Sequence, residues 1–131
     1  MEDKFEIRHS SIPQAGMGIF AKEPISANQR IGHYQGELKT SEQFEKMRDT
    51  TYTFEISKKV ANRYKLFYID AKNKRKSNFL RYINGAKTSS QRRKINTTAY
   101  QYKEKIFYKT TKAVKAGEEL IIDYGDSYWL D

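Results

Sequence analysis

Residues 117–129 read GEELIIDYGDSYW and combine a short apolar run with a carboxylate and a tyrosine. Tyr124 follows that run, between Asp123 and Gly125, where a strand is expected to give way to a loop. Most of the 10 tyrosines are expected to be ordinary strand residues, half-buried with the hydroxyl at water. The position of Tyr124 sets it apart and makes it the first candidate for chemistry.

Two glycine-containing segments could bind a ligand. Gly16-Met17-Gly18 lets the backbone approach another molecule closely, although any tight turn can produce the same pattern. No Lys-Ser or Lys-Thr follows it, so a nucleotide P-loop is not indicated. Asn84, directly before Gly85, can offer both a donor and an acceptor to a polar ligand. Its alternative role is to cap the end of a helical turn.

Several classes of site are excluded by composition. The chain has no cysteine, which rules out disulfides, thiolate metal ligands and a cysteine nucleophile. Two isolated histidines, His9 and His33, do not form a zinc site or a histidine-containing triad, so we expect no metal. Glu118 and Glu119 are adjacent, and in a strand they point to opposite faces, which is not the arrangement of a glycosidase pair.

The elements that must position these residues are mostly short strands. Thr40 and Gln43 have capping-box spacing for a helix over SEQFEKMRD, and Ser77 can cap a helical turn over NFLRYI. A hairpin is predicted with its turn near Lys103–Glu104. Strands are predicted over KFEIRHS, GIFA, RIGHYQG, TYTFEIS, KLFYID, INTTAYQY, KIFYKTT and ELIID. The fold class is therefore mostly β, with little helix.

Length and charge bound the function further. The 131 residues predict one domain, with a formal net charge of +9. Residues 1–57 carry 7 basic and 9 acidic groups, residues 58–116 carry 18 and 2, and residues 117–131 carry 0 and 5. The basic middle suggests a polyanionic partner such as nucleic acid, or else a solvated lysine-rich face. No signal peptide or membrane span is visible, so we expect a soluble intracellular protein.

Taken in order, these segments resemble the SET domain of protein lysine methyltransferases, from about Phe5 to Trp129. Asn84-Gly85-Ala86 stands where most members carry Asn-His-Ser. The segments that carry the resemblance are AGMGIFAKEPI, IGHYQGEL, YTFEI, FYIDA, NFLRYINGA and GEELIIDYG. The PR/SET subgroup and compact viral SET domains are the most similar.

The resemblance implies a SET-domain fold of several small β-sheets with short helices and a knot-like C-terminal arrangement. It implies a single domain over residues 1–131, without the cysteine-rich pre-SET and post-SET segments. The activity implied is transfer of a methyl group from S-adenosylmethionine to a lysine, with S-adenosylhomocysteine as product. The favoured substrate is a histone tail, histone H3 in particular.

The resemblance also assigns the site residues. Tyr124 takes the catalytic position, and Tyr34, Tyr108 and Ile122 line the channel for the substrate lysine. Because Ile122 is smaller than the tyrosine or phenylalanine that is common at its position, di- or trimethylation is predicted. Cofactor contacts are assigned to Ala15, Met17, Tyr52, Arg81, Asn84, Gly85 and Trp129.

Partners and location follow from the same resemblance. The acidic residues near the end of the chain would make the groove for a basic tail locally negative: Glu118, Glu119, Asp123 and Asp126. Two basic clusters, Lys72 with 74–76 and 92–94, would contact nucleosomal DNA. A homodimer that completes the site is a possible assembly. The predicted location is the nucleus, or a host cell if the protein is viral. Two alternatives remain: a SET-like binding module without activity, and a basic nucleic-acid-binding β domain.

Overall fold

The computed structural model describes residues 2–123 and shows the mostly β fold that the sequence predicts. Its strands are β1 (Phe5–His9), β2 (Met17–Ala21), β3 (Arg30–His33), β4 (Glu37–Thr40), β5 (Thr53–Val60), β6 (Arg63–Asp70), β7 (Asn84–Gly85), β8 (Thr97–Tyr102), β9 (Lys105–Thr110) and β10 (Ile121–Ile122). The short α-helices are α1 (Ser41–Glu45) and α2 (Ser89–Arg92), and single 3-10 turns span Glu2–Lys4, Lys74–Lys76 and Phe79–Tyr82.

The strands form three small sheets. Strands β1 and β2 pair antiparallel, and β4, β6 and β5 form an antiparallel sheet in that order. The five-stranded sheet has the order β3-β9-β8-β10-β7, in which β10 runs parallel to both β7 and β8. Several small sheets are thus confirmed, whereas the knot-like C-terminal arrangement stays a prediction, because residues 124–131 lie outside those described.

Two hairpins turn through residues with left-handed backbone. The predicted turn at Lys103–Glu104 joins β8 to β9, with φ of 53° and 68°. The β5–β6 hairpin turns at Ala61 and Asn62, with φ of 51° and 65°. Two consecutive positive φ values define a type I′ turn, which matches the twist of the flanking strands. Neither turn contains glycine, the residue that this geometry favours.

The helical predictions were correct in place and partly wrong in detail. The capping box is formed: the Thr40 hydroxyl accepts from the Gln43 N–H, and the Gln43 side chain accepts from the Thr40 N–H. The helix nevertheless ends at Glu45, earlier than predicted. So short a helix is not stable by itself and depends on tertiary contacts, such as the stacking of Phe44 on Tyr68. No described helix has the length and the apolar character needed to cross a bilayer.

Ser77 does not cap the turn that follows it. Its hydroxyl donates to the carbonyl of Asn73 at 2.9 Å and so closes the preceding 3-10 turn. The 3-10 turn over Phe79–Tyr82 is there, but it begins with the Arg81 N–H donating to the Asn78 carbonyl. The prediction of a Ser77 cap is therefore wrong, because the hydroxyl hydrogen-bonds to the Asn73 carbonyl on its N-terminal side and not to the turn that follows.

The described residues form two compact units. One comprises residues 2–32, 82–99 and 108–123, and its buried side chains are mainly aliphatic, with Ile19, Val114 and Leu120 at the centre. The other comprises residues 33–81 and 100–107, and buries Ile56, Leu80 and Ile106. Candidate site residues occur in both units, and each group is described within its own unit.

Candidate functional site

The Asn84 side chain is held by hydrogen bonds to two other segments of its unit. Asn84 lies in β7, opposite Ile121 of the parallel strand β10. Its Nδ2 donates to the Met17 carbonyl at 2.9 Å and to Glu119 Oε2 at 3.3 Å. The alternative role as a helix cap is therefore wrong, since the residue belongs to a strand. With the nitrogen engaged, Oδ1 is the end of the amide that remains for a ligand.

Glu119 is a buried acceptor for polar groups of the N-terminal segment. Its Oε2 accepts from the Ser10 hydroxyl at 2.7 Å, and its Oε1 accepts from the N–H and the hydroxyl of Ser11 at 2.8 and 2.7 Å. Only 7% of the residue is exposed. The neighbouring Glu118 is exposed. Placing Glu119 in an acidic substrate groove was therefore wrong, because its charge is used internally.

Gly18 makes room for that carboxylate. A Cβ at this position would overlap Glu119 Oε2, lie 2.9 Å from the Glu119 carboxyl carbon and lie 3.2 Å from Asn84 Nδ2. Gly16 has a φ of 74°, in the left-handed region that favours glycine. The two glycines of Gly-Met-Gly thus have different roles. Gly16 permits the backbone turn, and Gly18 leaves room for the Glu119 carboxylate.

Ala15 and Met17, both predicted to hold the cofactor through backbone, lie on either side of the Gly16 turn. The Ala15 N–H donates to the Ile12 carbonyl at 3.2 Å, so the backbone group it can offer a ligand is its carbonyl. The Met17 carbonyl already accepts from Asn84, and the Met17 side chain is exposed. The structure thus brings Ala15, Met17 and Asn84 together in one unit.

Asn96 is a supporting residue that the sequence does not reveal. It is buried, and its Nδ2 donates to the Glu119 carbonyl while its Oδ1 accepts from the Ile121 N–H, both at 2.9 Å. Its own N–H donates to the Ile121 carbonyl at 3.0 Å. The side chain and the backbone of Asn96 thus both bind the backbone of residues 119–121, next to the pairing of β8 with β10. An Asn before a strand usually reads as a turn residue, so no local signal revealed the role.

The buried residues Gly85, Tyr108 and Ile122 complete the predicted set in this unit. Gly85 and Ile122 lie opposite each other in the β7–β10 pair, and Thr97 pairs with Ile122 from the other side. Ile122 and Tyr108 are almost fully buried. β10 thus carries an apolar, closely packed residue two positions before Tyr124.

In the second unit, Tyr34 and Tyr52 are joined through one carbonyl oxygen. The Tyr34 hydroxyl donates to the Tyr52 carbonyl at 2.7 Å, and the same oxygen accepts from the Ala71 N–H at 3.0 Å. Tyr34 is buried, and its ring lies 6.1 Å from that of Phe54. The Tyr34 O–H proton is therefore used within the unit.

Arg81 is a buried cation bound to backbone oxygens and to an aromatic face. Its Nε donates to the Ala71 carbonyl at 2.8 Å, and its Nη2 donates to the Lys72 carbonyl at 3.0 Å. Its guanidinium carbon lies 4.3 Å from the centre of the Tyr52 ring. Arg81 and Tyr52, both predicted to contact the cofactor, thus contact each other, and the guanidinium fixes the chain after β6.

A cleft of about 370 Å³ lies beside Tyr34 in the same unit. Its walls are partly apolar, from Leu38, Ile56 and Ile69, and it is bordered by three lysines, including Lys58 and Lys105, and by Glu104. Partial burial, together with the positive charge of Lys105, lowers the pKa of His33 in this wall below its ordinary value.

Two predicted site residues, Tyr124 and Trp129, lie outside the described residues. Asp123, the last residue described, is exposed. Among residues 2–123, no three His, Asp or Glu side chains are grouped as metal ligands.

Comparison with known proteins relates nearly the whole chain to one family. The model of the PR domain of PR domain zinc finger protein 2 matches residues 5–130. Histone-lysine N-methyltransferase set-17 of Caenorhabditis elegans is 33% identical over 124 residues, which are 95% of this chain and 42% of that protein. Histone-lysine N-methyltransferase MECOM of Mus musculus is 33% identical over 120 residues, which are 92% of this chain and 9% of that protein. The chain thus spans less than half the length of these curated relatives.

Solved structures give the same relation. The methyltransferase domain of human PR domain-containing protein 2 superposes with a TM-score of 0.77 at 26% identity, covering 96% of this chain and 80% of that one. ATXR5 in complex with histone H3.1 gives 0.77 at 20% identity, covering 96% and 60%. The autoinhibited ctPRC2 bound to S-adenosylmethionine gives 0.70 at 24% identity, covering 97% and 16%. At the two lower identities the likeness concerns the fold alone.

Proposed function

Because the chain belongs to the PR domain family, we propose that it is a protein-lysine N-methyltransferase that uses S-adenosylmethionine. The names of set-17 and MECOM support this activity. The fold supports the cofactor, since ctPRC2, with a similar fold, was solved bound to S-adenosylmethionine. Because the chain spans a minor part of these relatives, the proposal is limited to the domain formed by this sequence.

The observation that carries the proposal is the fixed orientation of the Asn84 amide. Met17 and Glu119 hold its nitrogen, which leaves Oδ1 as an acceptor. The Ala15 carbonyl is a second acceptor in the same unit. Two acceptors suit the ammonium group at the methionine end of S-adenosylmethionine, so these residues fit the cofactor.

The site must also deliver a neutral lysine. When bound, the cofactor supplies an electrophilic methyl group on sulfur, and its transfer to the amine releases S-adenosylhomocysteine. A free lysine has a pKa of about 10.4, so deprotonation at pH 7 costs about 4.6 kcal/mol. Buried rings such as Tyr34 and Tyr108 would lower that pKa by removing water from the ammonium. Tyr124 is proposed to orient the amine, Trp129 to cover the adenine, and Tyr52 and Arg81 to support polar parts of the cofactor.

A histone tail is the proposed substrate, histone H3 in particular, and the nucleus is the proposed location. The relatives are named for histone lysines, and ATXR5, which shares the fold, was solved with histone H3.1. Glu118 and Asp123 are exposed and can attract a basic tail. The buried Glu119 is not included in this proposed groove.

The test is methyl transfer from labelled S-adenosylmethionine to core histones, followed by mapping of the modified lysine. Tyr124→Phe should lower the rate by about tenfold or more, equivalent to about 1.4 kcal/mol. The matched control is Tyr64→Phe, which removes a phenol from an exposed hairpin residue and should leave the rate unchanged. Equal rates for the two variants would contradict the role of Tyr124.

Calorimetry separates the enzyme from the alternative of a binding module. Asn84→Ala should weaken cofactor binding, because it removes the oriented acceptor. Cofactor binding without transfer to any histone would favour an inactive SET-like module. No cofactor binding together with tight binding of nucleic acid would favour a nucleic-acid-binding β domain.

We also propose that the product can carry two or three methyl groups. Ile122 is apolar and buried in β10, where a phenol with a bound water would leave less room. Ile122→Tyr should shift the product toward monomethyl-lysine, whereas Ile122→Val should not. Mass spectrometry of a peptide at long reaction times provides the test, and a wild-type product that stays monomethylated would contradict the prediction.

A further inference from the structure

The register of the β5–β6 hairpin places three cations on one face. Residues directly opposite each other in an antiparallel pair share a face. Lys58 lies opposite Lys65, and Val60 lies opposite Arg63, two positions further toward the turn. Lys58, Arg63 and Lys65 therefore lie together on the outer half of the hairpin. Lys59 lies opposite Tyr64 and belongs to the other face.

This cluster is not neutralised within the part of the chain that the structure describes. No carboxylate of residues 2–123 forms an ion pair with these three side chains. The Lys58 ammonium contacts the Phe67 ring, with 5.2 Å to the ring centre. Two lysines directly opposite each other destabilise a sheet pair through repulsion. An arrangement that costs stability and forms no ion pair within residues 2–123 is suited to an external anion.

The basic cluster at Lys72 and 74–76, which stands out in the sequence, is a weaker candidate. Lys72 pairs with Asp49 at 3.5 Å, and Lys76 pairs with Glu37 at 3.6 Å. These contacts neutralise part of the charge that the sequence displays. The hairpin cations are the better candidates because they have no such partner among residues 2–123.

We propose that this face of the β5–β6 hairpin binds the phosphate backbone of duplex nucleic acid. A two-stranded ribbon fits the major groove of DNA, and lysine and arginine supply most backbone contacts. An acidic protein is less well matched, since protein interfaces depend on aromatic and apolar anchors at their centre. The face instead offers charge on an extended ribbon, with the half-exposed Val60 as its apolar neighbour.

The proposal does not depend on methyl transfer, and its test uses neither cofactor nor histone. Binding of a fluorescent 20-base-pair duplex of mixed sequence is measured by anisotropy across a salt series. The test variant is Lys58→Gln, Arg63→Gln and Lys65→Gln together. The control is Lys22→Gln, Lys59→Gln and Lys87→Gln, which removes the same charge from exposed positions elsewhere. Thermal unfolding of both variants confirms that they are folded.

The face variant should bind the duplex about tenfold or more weakly near 0.1 M salt. Its salt slope should fall by about 0.9 for each phosphate that the protein no longer neutralises, hence by about 2 to 3. The control should stay close to the wild type. If both variants bound the duplex equally weakly, the loss would be due to the lower net charge of the protein and not to this face, which would overturn the proposal. If the face variant bound polyglutamate more weakly than the control did, while both bound DNA equally well, the surface would belong to an acidic protein partner. That result would also overturn the proposal.

Discussion

At the scale of single residues, the Gly18 position and the Glu119 carboxylate depend on each other. The carboxylate occupies the space that any side chain at position 18 would need. It accepts from Ser10, Ser11 and Asn84, and thereby ties the N-terminal segment to β7. A glycine pattern that suggests ligand binding in the sequence is therefore also a packing requirement.

Gly18→Ala should destabilise the fold by about 3 kcal/mol, because the methyl group displaces a buried, hydrogen-bonded carboxylate. Glu119→Ala removes the obstacle, so adding Gly18→Ala in that background should cost about 1 kcal/mol or less. Urea unfolding of the four proteins gives the coupling energy, expected near 2 kcal/mol. Additive effects would show that the two positions are independent.

His33 should make stability depend on pH below neutrality. Its pKa in the fold is lowered by partial burial and by Lys105, whereas the unfolded chain has an ordinary value of about 6.5. The unfolded state therefore binds more protons, so stability is complete above pH 6.5 and falls as pH drops toward the folded pKa. His33→Gln should lose this part of the pH dependence, as measured by urea unfolding between pH 7.5 and 5.

Lys105→Gln provides the check on cause. Removing that positive charge should raise the His33 pKa toward its ordinary value, which an NMR titration of the imidazole can follow. Lys103→Gln removes a charge at the turn and should shift the His33 pKa less. Equal shifts would contradict the specific role of Lys105.

At the scale of elements, local sequence predicted what depends on local rules. The capping box at Thr40 and the hairpin turn at Lys103–Glu104 both depend on neighbouring residues, and both are present. Asn84 and Gly85 form a strand only because Ile121 and Ile122, distant in sequence, lie beside them. No local pattern distinguishes that pair from a helix end, so its strand role could not be predicted.

The β8–β9 turn should accept a stabilising substitution. Lys103 and Glu104 both adopt positive φ, a conformation that is unfavourable for most residues with a Cβ. The dipeptide Asn-Gly tolerates this backbone conformation best. Lys103→Asn with Glu104→Gly should raise the free energy of unfolding by about 1 kcal/mol. Lys103→Gln with Glu104→Gln removes the same charges without changing the backbone preference and should give no gain. A gain from both pairs would point to charge rather than turn geometry.

At the scale of the whole molecule, function depends on where charge lies in space rather than along the chain. The sequence correctly indicated a basic middle, and Asn84, Ala15 and Met17 do lie together in one unit. Strand register, however, decides which lysines share a face, and ion pairs decide which positive charges are already compensated by a carboxylate. Both are properties of the folded chain, so the Lys58–Arg63–Lys65 face was not visible in the sequence.

This distribution predicts different salt responses for two substrates of the proposed enzyme. A free histone peptide is basic and carries no phosphate backbone, whereas a nucleosome also presents DNA to the basic hairpin face. Because phosphate contacts release counterions, activity on nucleosomes should fall more steeply between 50 and 200 mM salt than activity on the peptide. The Arg63→Gln, Lys65→Gln variant, whose two residues do not line the cleft beside Tyr34, should flatten the nucleosome response and leave the slope for the peptide unchanged. Parallel salt responses for both substrates would mean that the positive surface serves solubility, and that nucleosomal DNA makes no contribution to substrate binding.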